Sequence, residues 1–410
     1  MRRLLARTLL PIAGLAFACG GDEPTGPTSN PEESLHPLAQ EVSPAAVTVS
    51  TAVDQAGDVG RYTSLAIGPN GRRHITYYDN TKENLKYASC ASNCASASAW
   101  AKGFIDKAED AGRGSSLKIG PDGRRYVTYG ELKNDRLKFA TCPQTSTCTV
   151  PADWVKTTID PDGLGSFYST LALNPDGGKE VAYRGTSGGQ VDLRYAVCHS
   201  GCGQAANWFR VILDQTGLGF GGTITSLTIG GDGRRHITYF HGADEELRYA
   251  TCASNCTNAL MWQKSLIDGE GAGLHSSFVL AGPFGLRHVS YYNPRTGDLK
   301  YARCGLNCTA ARNWKKVTVA STGDIGLYPS LAVEPNGRVH LGFYGSSGSA
   351  LYYATCATNC LTPSSWGKSV LDGLFSAAGE HPSLAVRDGV AEISYYDDTN
   401  GNLKYLRRTP

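Results

Sequence analysis

The chain has 410 residues, and 39 Lys and Arg against 37 Asp and Glu give a formal net charge of +2. This near balance excludes the strongly basic surface on which nucleic-acid binding depends. Glycine accounts for 49 residues, well above the usual share of about 7%. Aromatic and β-branched residues stand between frequent Asp-Gly and Asn-Gly pairs, a pattern typical of an all-β protein.

The N-terminal segment predicts export. Residues 1–18 have three arginines within the first seven positions, and a short apolar stretch follows that ends in small residues. This pattern is typical of a signal peptide and is too short to span a bilayer. Cys19 follows, and the segment resembles a bacterial lipobox, with Ala16 in place of the usual Leu. We expect Cys19 to be lipidated. A signal peptide with an incidental cysteine is the alternative.

Residues 19–44 are rich in Gly, Pro, Ser, Thr and Glu, and they predict a flexible tether because such a segment cannot bury a core. We therefore expect a lipid-anchored protein of the bacterial cell envelope, at the outer membrane, in the periplasm or on the surface. The anchor would be its one contact with a membrane, since no other long apolar run occurs in the sequence.

Residues 45–410 contain seven copies of one repeat. Each copy has a short apolar strand, a tight turn such as 69–71, a second strand such as 74–78, a third such as 85–88, and a fourth that ends in Asp in most copies. Four antiparallel strands in a unit of about fifty residues, repeated seven times, predict a seven-bladed β-propeller. The first strands begin at Ser64, Ser116, Thr170, Ser226, Ser277, Ser330 and Ser383.

The two ends of the repeat region complement each other. The last copy stops after its third strand, at 403–405, and the segment 47–54 before the first copy matches the end of a fourth strand. We expect this N-terminal strand to complete the last blade and close the ring, which removes exposed sheet edges. An open solenoid is the alternative. We expect the protein to be a monomer.

Twelve of the 13 cysteines form six local pairs between third and fourth strands. In an exported protein such pairs predict disulfides, which leaves Cys19 as the cysteine without a partner. The second cysteine of each pair lies six residues before a tryptophan, and we expect these tryptophans to pack rather than to bind a ligand. The pairs are Cys90 and Cys94, Cys142 and Cys148, Cys198 and Cys202, Cys252 and Cys256, Cys304 and Cys308, and Cys356 and Cys360.

The candidate ligand site follows from the loops. In propellers the loops between blades share one face with the loops from second to third strands, and this is the usual ligand face by analogy of fold. Two positions before the first strand, five copies carry an aromatic residue or His that either rings the mouth of the central channel or wedges between blades. These five are Tyr62, Tyr168, His275, Tyr328 and His381.

Two further groups of side chains are candidates for chemistry. The loops after the second strands add Asp79, Glu131, His241 and Asp397, which could act as acids, bases or metal ligands. A column of four histidines lies at the start of the second strands, and we expect it to pack against or hydrogen-bond a neighbouring blade rather than to bind a metal. The column comprises His74, His236, His288 and His340.

The repeat has relatives. The string at 64–79, Ser-Leu-Ala-Ile-Gly-Pro-Asn-Gly-Arg-Arg-His-Ile-Thr-Tyr-Tyr-Asp, followed by Leu-Lys-Tyr-Ala at 85–88, resembles a repeat of exported bacterial and archaeal propeller proteins. The resemblance covers the chain after the tether. It implies the propeller fold and no assigned activity, so it carries over no catalytic residue.

The sequence is compatible with three functions. A rigid exported ring with aromatic-tipped loops and no catalytic motif favours a binding module for a glycan or a protein partner. A lyase or hydrolase with one asymmetric site at the channel mouth is the first alternative, and a structural envelope scaffold is the second. We predict no cofactor beyond, at most, a structural calcium ion at the Asp- and Gly-rich loops.

Overall fold

The computed structural model describes residues 46–108, 110–161, 168–217, 225–269, 271–282, 285–373 and 376–410. These residues form seven four-stranded antiparallel sheets arranged in a ring, which confirms the seven-bladed β-propeller. The signal segment 1–18 and the tether 19–44 with Cys19 lie outside the described residues. Among the described residues, no helix is long and apolar enough to span a membrane.

Each blade is numbered along the chain, and its strands run from the ring centre outward, so that strand β1 (Thr48–Asp54) is the outermost strand of blade 7. Blades 1 to 3 comprise β2 (Val59–Ile67), β3 (Arg73–Asp79), β4 (Asn84–Cys90) and β5 (Ala101–Asp106); β6 (Ala111–Ile119), β7 (Arg125–Glu131), β8 (Arg136–Cys142) and β9 (Val155–Asp160); β10 (Thr170–Leu173), β11 (Lys179–Ser187), β12 (Gln190–Cys198) and β13 (Phe209–Gly217).

Blades 4 to 7 repeat this arrangement, and β1 completes the last of them. They comprise β14 (Thr225–Ile229), β15 (Arg235–His241), β16 (Glu246–Cys252) and β17 (Gln263–Asp268); β18 (Leu274–Ala281), β19 (Leu286–Asn293), β20 (Asp298–Cys304) and β21 (Lys315–Ala320); β22 (Ile325–Val333), β23 (Val339–Gly345), β24 (Ala350–Cys356) and β25 (Gly367–Asp372); β26 (Ala378–Arg387), β27 (Val390–Asp397) and β28 (Asn402–Arg408).

The ring closes through the N-terminal strand, as the incomplete ends of the sequence predict. Strand β1 pairs antiparallel with β28, with Thr48 opposite Arg408 and Asp54 opposite Leu403. Each innermost strand contacts the innermost strand of the next blade, and β26 contacts β2 to complete the circle. The open solenoid is thereby excluded.

Serine hydroxyls join the blades near the centre of the ring. At the seam between blades 7 and 1, the backbone N–H of Leu65 donates to Oγ of Ser383 over 2.9 Å. Five other seams repeat this bond, and at the seam between blades 3 and 4 the Oγ1 of Thr170 donates to the carbonyl of Thr225 instead. The repeated pairs are Leu117 with Ser64, Leu171 with Ser116, Phe278 with Ser226, Leu331 with Ser277, and Leu384 with Ser330.

Buried aspartates join the blades further out. The carboxylate of Asp268, at the end of the outermost strand of blade 4, accepts from the hydroxyl of Tyr291 over 2.8 Å and from Nζ of Lys300 over 2.6 Å, both in blade 5. Six seams have such a seam triad. The other triads are Asp54–Tyr77–Lys86, Asp106–Tyr129–Lys138, Asp160–Tyr183–Arg194, Asp214–Tyr239–Arg248 and Asp372–Tyr395–Lys404.

The seam between blades 5 and 6 lacks this triad, and all three of its members change together. Ala320 replaces the aspartate, Phe343 the tyrosine and Tyr352 the lysine. The rings of Phe343 and Tyr352 stack with centroids 5.6 Å apart. The sequence therefore replaces the polar set by an apolar one, because a partial change would leave a buried group without a partner.

The six cysteine pairs form disulfides, and each lies beside a buried tryptophan. The indole N–H of Trp208 donates to the carbonyl of Cys202 over 3.0 Å, and its ring packs edge-on against Phe139 of the preceding blade. Trp100, Trp154, Trp262, Trp314 and Trp366 make the same two contacts.

The tryptophans therefore fasten each disulfide loop to the blade before it. Blade 7 has no such loop, and there the guanidinium of Arg408 lies over the ring of Tyr353 at 5.2 Å. A turn of 3₁₀ helix precedes each tryptophan, at Ala97–Ala99, Pro151–Asp153, Ala205–Asn207, Ala259–Met261, Ala311–Asn313 and Pro363–Ser365.

The histidine column is part of the packing. Each Nδ1 hydrogen-bonds a tyrosine hydroxyl on the third strand of its own blade, as His74 does with Tyr87. The hydrogen bond thus lies within the blade, whereas the ring of His236 packs against Phe278 of the next blade, with centroids 6.1 Å apart. Within the described ranges, no group of three or more His, Cys, Asp or Glu could hold a metal ion. Calcium stays a prediction.

The first prediction concerns a seam triad. Burial raises the pKa of Asp268, but hydrogen bonds from Lys300, Lys316 and Tyr291 outweigh it and hold the pKa below its ordinary value of 3.8. The stabilisation is thus present above pH 3.8 and is lost as the pH falls through the folded-state pKa. Asp268→Asn should lower the free energy of unfolding by about 2 kcal/mol at neutral pH, and by less in acid.

Urea unfolding at neutral pH and at about pH 3, below the ordinary pKa of Asp, measures both effects. Asp232→Asn is the matched control, because Asp232 lies in an exposed turn where other blades have Asn70 and Asn336. Equal losses for the two variants would contradict the role of the triad.

The second prediction separates the tryptophans from the disulfides. Trp208→Ala should lower the free energy of unfolding by about 3–5 kcal/mol, the usual cost of truncating a buried tryptophan. Opening the nearby bond with the double variant Cys198→Ala and Cys202→Ala should cost less, because the bridge closes a separation of only four residues. Denaturant unfolding of both variants gives the order, and the reverse order would show that the bridge is the main fastener.

Candidate functional site

Five predicted site residues meet at the centre of the ring. Tyr62, Tyr168, His275, Tyr328 and His381 line one cavity of about 180 Å³, to which every blade contributes at least one residue. The structure thus places these five side chains around the channel rather than in the seams. We call this set the aromatic collar.

The collar is a closed circle of neighbouring rings. The centroid of Tyr62 lies 6.0 Å from that of Tyr168, which lies 6.2 Å from that of His275. His275 lies 4.2 Å from Tyr328, which lies 4.3 Å from His381. His381 returns to Tyr62 at 4.2 Å. Most of these pairs are tilted or edge-to-face, the arrangements that aromatic quadrupoles prefer.

The backbone conformation that turns these side chains towards the axis is strained. All five collar residues have φ between 51° and 61°, a region that costs a bulky residue about 1–2 kcal/mol. Gly114 holds the same position in blade 2, with φ of 59°. A break in strand pairing surrounds the position, as between Arg61 and Ser64, and such bulges re-aim side chains. Large rings where the backbone favours glycine indicate a functional constraint.

The hydroxyls beside the collar are already used by the protein. The residue after each collar position is Ser or Thr in blades 1 to 5 and Pro in blades 6 and 7. Oγ of Ser169 donates to Oγ1 of Thr128 over 2.8 Å, and Oγ1 of Thr225 donates to the carbonyl of Ala182 over 3.1 Å. Thr63, Ser115 and Ser276 likewise bond across seams. The wall of the cavity therefore combines the collar rings with hydroxyls that are already hydrogen-bonded.

The collar is uncharged at neutral pH. Burial lowers the pKa of His275 to about 3, and burial together with His275 and Arg61 lowers the pKa of His381 to about 3. Burial and nearby Glu380 raise the pKa of Tyr328 to about 12, and burial raises the pKa of Tyr168. Nδ1 of His381 is buried and has no hydrogen-bond partner among the described residues, which leaves it available to a ligand.

Charged residues lie beside the collar in blades 1 and 7. Arg61 precedes Tyr62 and lies 3.9 Å from Asp58 and 3.5 Å from Asp398. Glu380 precedes His381, and burial and Asp398 raise its pKa while Arg61 opposes the shift. We call these four residues, Asp58, Arg61, Glu380 and Asp398, the acidic rim.

In blades 5 and 6, which precede blade 7 of the rim, Leu274 and Leu327 hold the position of Arg61. In blade 2 the same position is Arg113, which pairs with Asp110 at 3.0 Å. Sequence reasoning missed the rim. The available signal was the change from Arg to Leu to Glu at one repeat position, which neutral surface variation also produces.

The other four predicted site residues lie away from the cavity lining. Asp79, Glu131, His241 and Asp397 are buried at the ends of the second strands. Asp397 accepts from the amide of Asn400, and Glu131 pairs with Lys138 at 2.9 Å. These contacts hold the loop after the strand, and an acid–base role for the four residues stays a prediction.

Comparison with known proteins adds the fold alone. No family model and no curated protein matches the chain. A polysaccharide lyase, Uly1, is similar at 10% identity over 88% of this chain and 91% of that chain, with a TM-score of 0.50. The hydrazine synthase of Kuenenia stuttgartiensis is similar at 11% identity over 85% and 95%, with a TM-score of 0.56.

A puromycin hydrolase is similar at 13% identity over 86% of this chain and 54% of that chain, with a TM-score of 0.52. These three proteins have different activities. Their likeness shows the fold.

The third prediction uses the buried histidines of the collar. The unfolded chain binds protons on His275 and His381 below about pH 6.5, whereas the folded chain does so only near pH 3. Stability should therefore fall as the pH is lowered through this window, by about 2 kcal/mol per histidine at pH 5. The double variant His275→Tyr and His381→Tyr should lose less stability, because Tyr holds this position in three other blades.

Urea unfolding at about pH 7 and pH 5 measures the difference, since His titrates between them. His199→Gln is the control, because that histidine is exposed in a disulfide loop. An unchanged acid loss in the double variant would show that the two collar histidines are protonated in the folded protein.

Proposed function

We propose that this chain is a binding module that holds a glycan at the aromatic collar. The observation that carries the proposal is the closed circle of five uncharged rings at the channel mouth, in a backbone conformation that disfavours bulky side chains. A sugar has apolar ring faces and polar edges, so it suits a site of aromatic faces with a few polar groups beside them.

The polar groups beside the collar can orient a sugar. Arg61 offers N–H donors, Glu380 offers carboxylate oxygens, and Nδ1 of His381 has no partner among the described residues. They belong to blades 7 and 1, whereas blades 5 and 6 have leucines at the position of Arg61. A site with unequal sides would fix one orientation of its ligand, which supports specific binding over a scaffold.

The setting of the site is consistent with a glycan ligand. Six disulfides are characteristic of an oxidising compartment, so the propeller is an exported protein. Lipidation at Cys19 and the tether 19–44 would hold the ring at the cell envelope, where glycans are abundant. The polysaccharide lyase of similar fold is an analogy for the scaffold and assigns no residue.

Catalysis at the same mouth is a second candidate, because Glu380 is a carboxyl group with a raised pKa beside Arg61 and Asp398. A carboxyl poised in this way is suited to general acid catalysis of glycan cleavage. Its signature would be new reducing or unsaturated chain ends in the binding mixture.

The fourth prediction tests the glycan site. Residues 45–410 form one compact unit, and they should bind at least one structural class on a glycan array. Tyr62→Gly should weaken that binding at least tenfold in calorimetry, on the order of the energy of one aromatic contact. This variant should still fold, because Gly114 holds the same position in blade 2.

Phe209→Ala is the matched control, since this ring is 60% exposed on the outermost strand of blade 3, and it should leave the affinity unchanged. An array without a single bound glycan would refute the proposal. Binding that survives Tyr62→Gly would place the glycan elsewhere. New chain ends that disappear in Glu380→Gln would establish the enzyme instead.

A further inference from the structure

We propose that the glycan bound at the collar carries a free amino group, and that the collar and the acidic rim bind its ammonium form. The ligand class is thus an amino sugar polymer without N-acetyl groups, as opposed to a neutral or acidic one. This inference rests on the proposed glycan site and adds the charge of the ligand.

The collar has a size that suits a small cationic group. The centroids of neighbouring collar rings lie between 4.2 and 6.2 Å apart. Five rings spaced evenly on a circle at such distances would have their centroids about 4 Å from its centre, which is within the reach of about 6 Å for a cation over an aromatic ring. The cavity of about 180 Å³ is several times the share of one water molecule, about 30 Å³. A group larger than water can therefore enter.

The wall of the cavity is uncharged, and its serine and threonine hydroxyls are already hydrogen-bonded. At neutral pH the collar is uncharged, so that no positive charge on its two histidines repels a cation. The neighbouring hydroxyls are engaged in bonds between blades. The collar rings are therefore the main groups that the wall offers to a ligand, and aromatic rings attract a cation.

The acidic rim has more carboxylates than cations. Arg61 has the carboxylates of Asp58, Asp398 and Glu380 around it. The second cation near the collar, Arg113 in blade 2, is paired with Asp110 at 3.0 Å. The rim thus has an excess of negative charge. Glu380 accepts no hydrogen bond from any residue that the structure describes, and burial and Asp398 raise its pKa. An ammonium would supply the missing partner, whereas a carboxylated or sulfated glycan would meet repulsion.

The test compares oligomers that differ in one group. Calorimetry on residues 45–410 would use glucosamine oligomers, the matching N-acetylglucosamine oligomers and uronic acid oligomers. We expect the glucosamine oligomers to bind at least tenfold more tightly than the N-acetylated ones, and tetramethylammonium chloride to compete with them. Glu380→Gln should remove most of this preference, so that the two kinds of oligomer bind with similar affinity.

Asp388→Asn is the matched control, because this carboxylate is 89% exposed in the turn between β26 and β27, and it should change nothing. Equal affinity for both glucosamine forms, or a preference for uronic acids, would overturn the inference and retain the glycan site. Binding of tetramethylammonium without any glycan would overturn the proposed function and retain a cation site at the collar.

Discussion

A buried carboxylate at the end of an outermost strand can be stable only if the next blade supplies its partners. Removing such a charge from water costs several kcal/mol unless it is paired and hydrogen-bonded. Asp268 meets this condition through Tyr291 and Lys300 of the following blade. Each blade therefore specifies the polar groups of its neighbour. The exception supports the constraint, because Ala320, Phe343 and Tyr352 replace all three members of the triad at once.

Rigid contacts between neighbouring blades allow the collar residues to keep a strained backbone conformation. The triads and the tryptophan contacts hold neighbouring blades at the perimeter, and Ser hydroxyls such as that of Ser383 hold the innermost strands near the axis. With both ends of each seam fixed, the bulge before Ser64 has little freedom to relax. The chain can then keep Tyr62 and its four counterparts at positive φ, since the surrounding contacts outweigh a local cost of about 1–2 kcal/mol per residue.

The fold was predictable because its signals are local and repeated. Seven copies of one strand pattern gave the blade count, and the strand at 47–54 gave the closure. The position of the collar was also visible, as an aromatic residue or His at one place in five copies. That the five rings touch one another was not visible, because it depends on the radius of the ring. Burial of Asp79 and the role of Glu380 depend on neighbouring blades, which the repeat pattern does not describe.

The departures from symmetry determine what the ring can distinguish. A ligand on the axis has similar rings on most sides, so the collar alone would bind it in several equivalent orientations. The rim removes this equivalence, since Arg61 and Glu380 in blades 1 and 7 hold a repeat position that is leucine in blades 5 and 6. Under the proposed function, a single axial cavity with one charged side would accommodate one ligand in one orientation. Seven repeats therefore do not imply seven sites, and selectivity would depend on the few positions where the repeats differ.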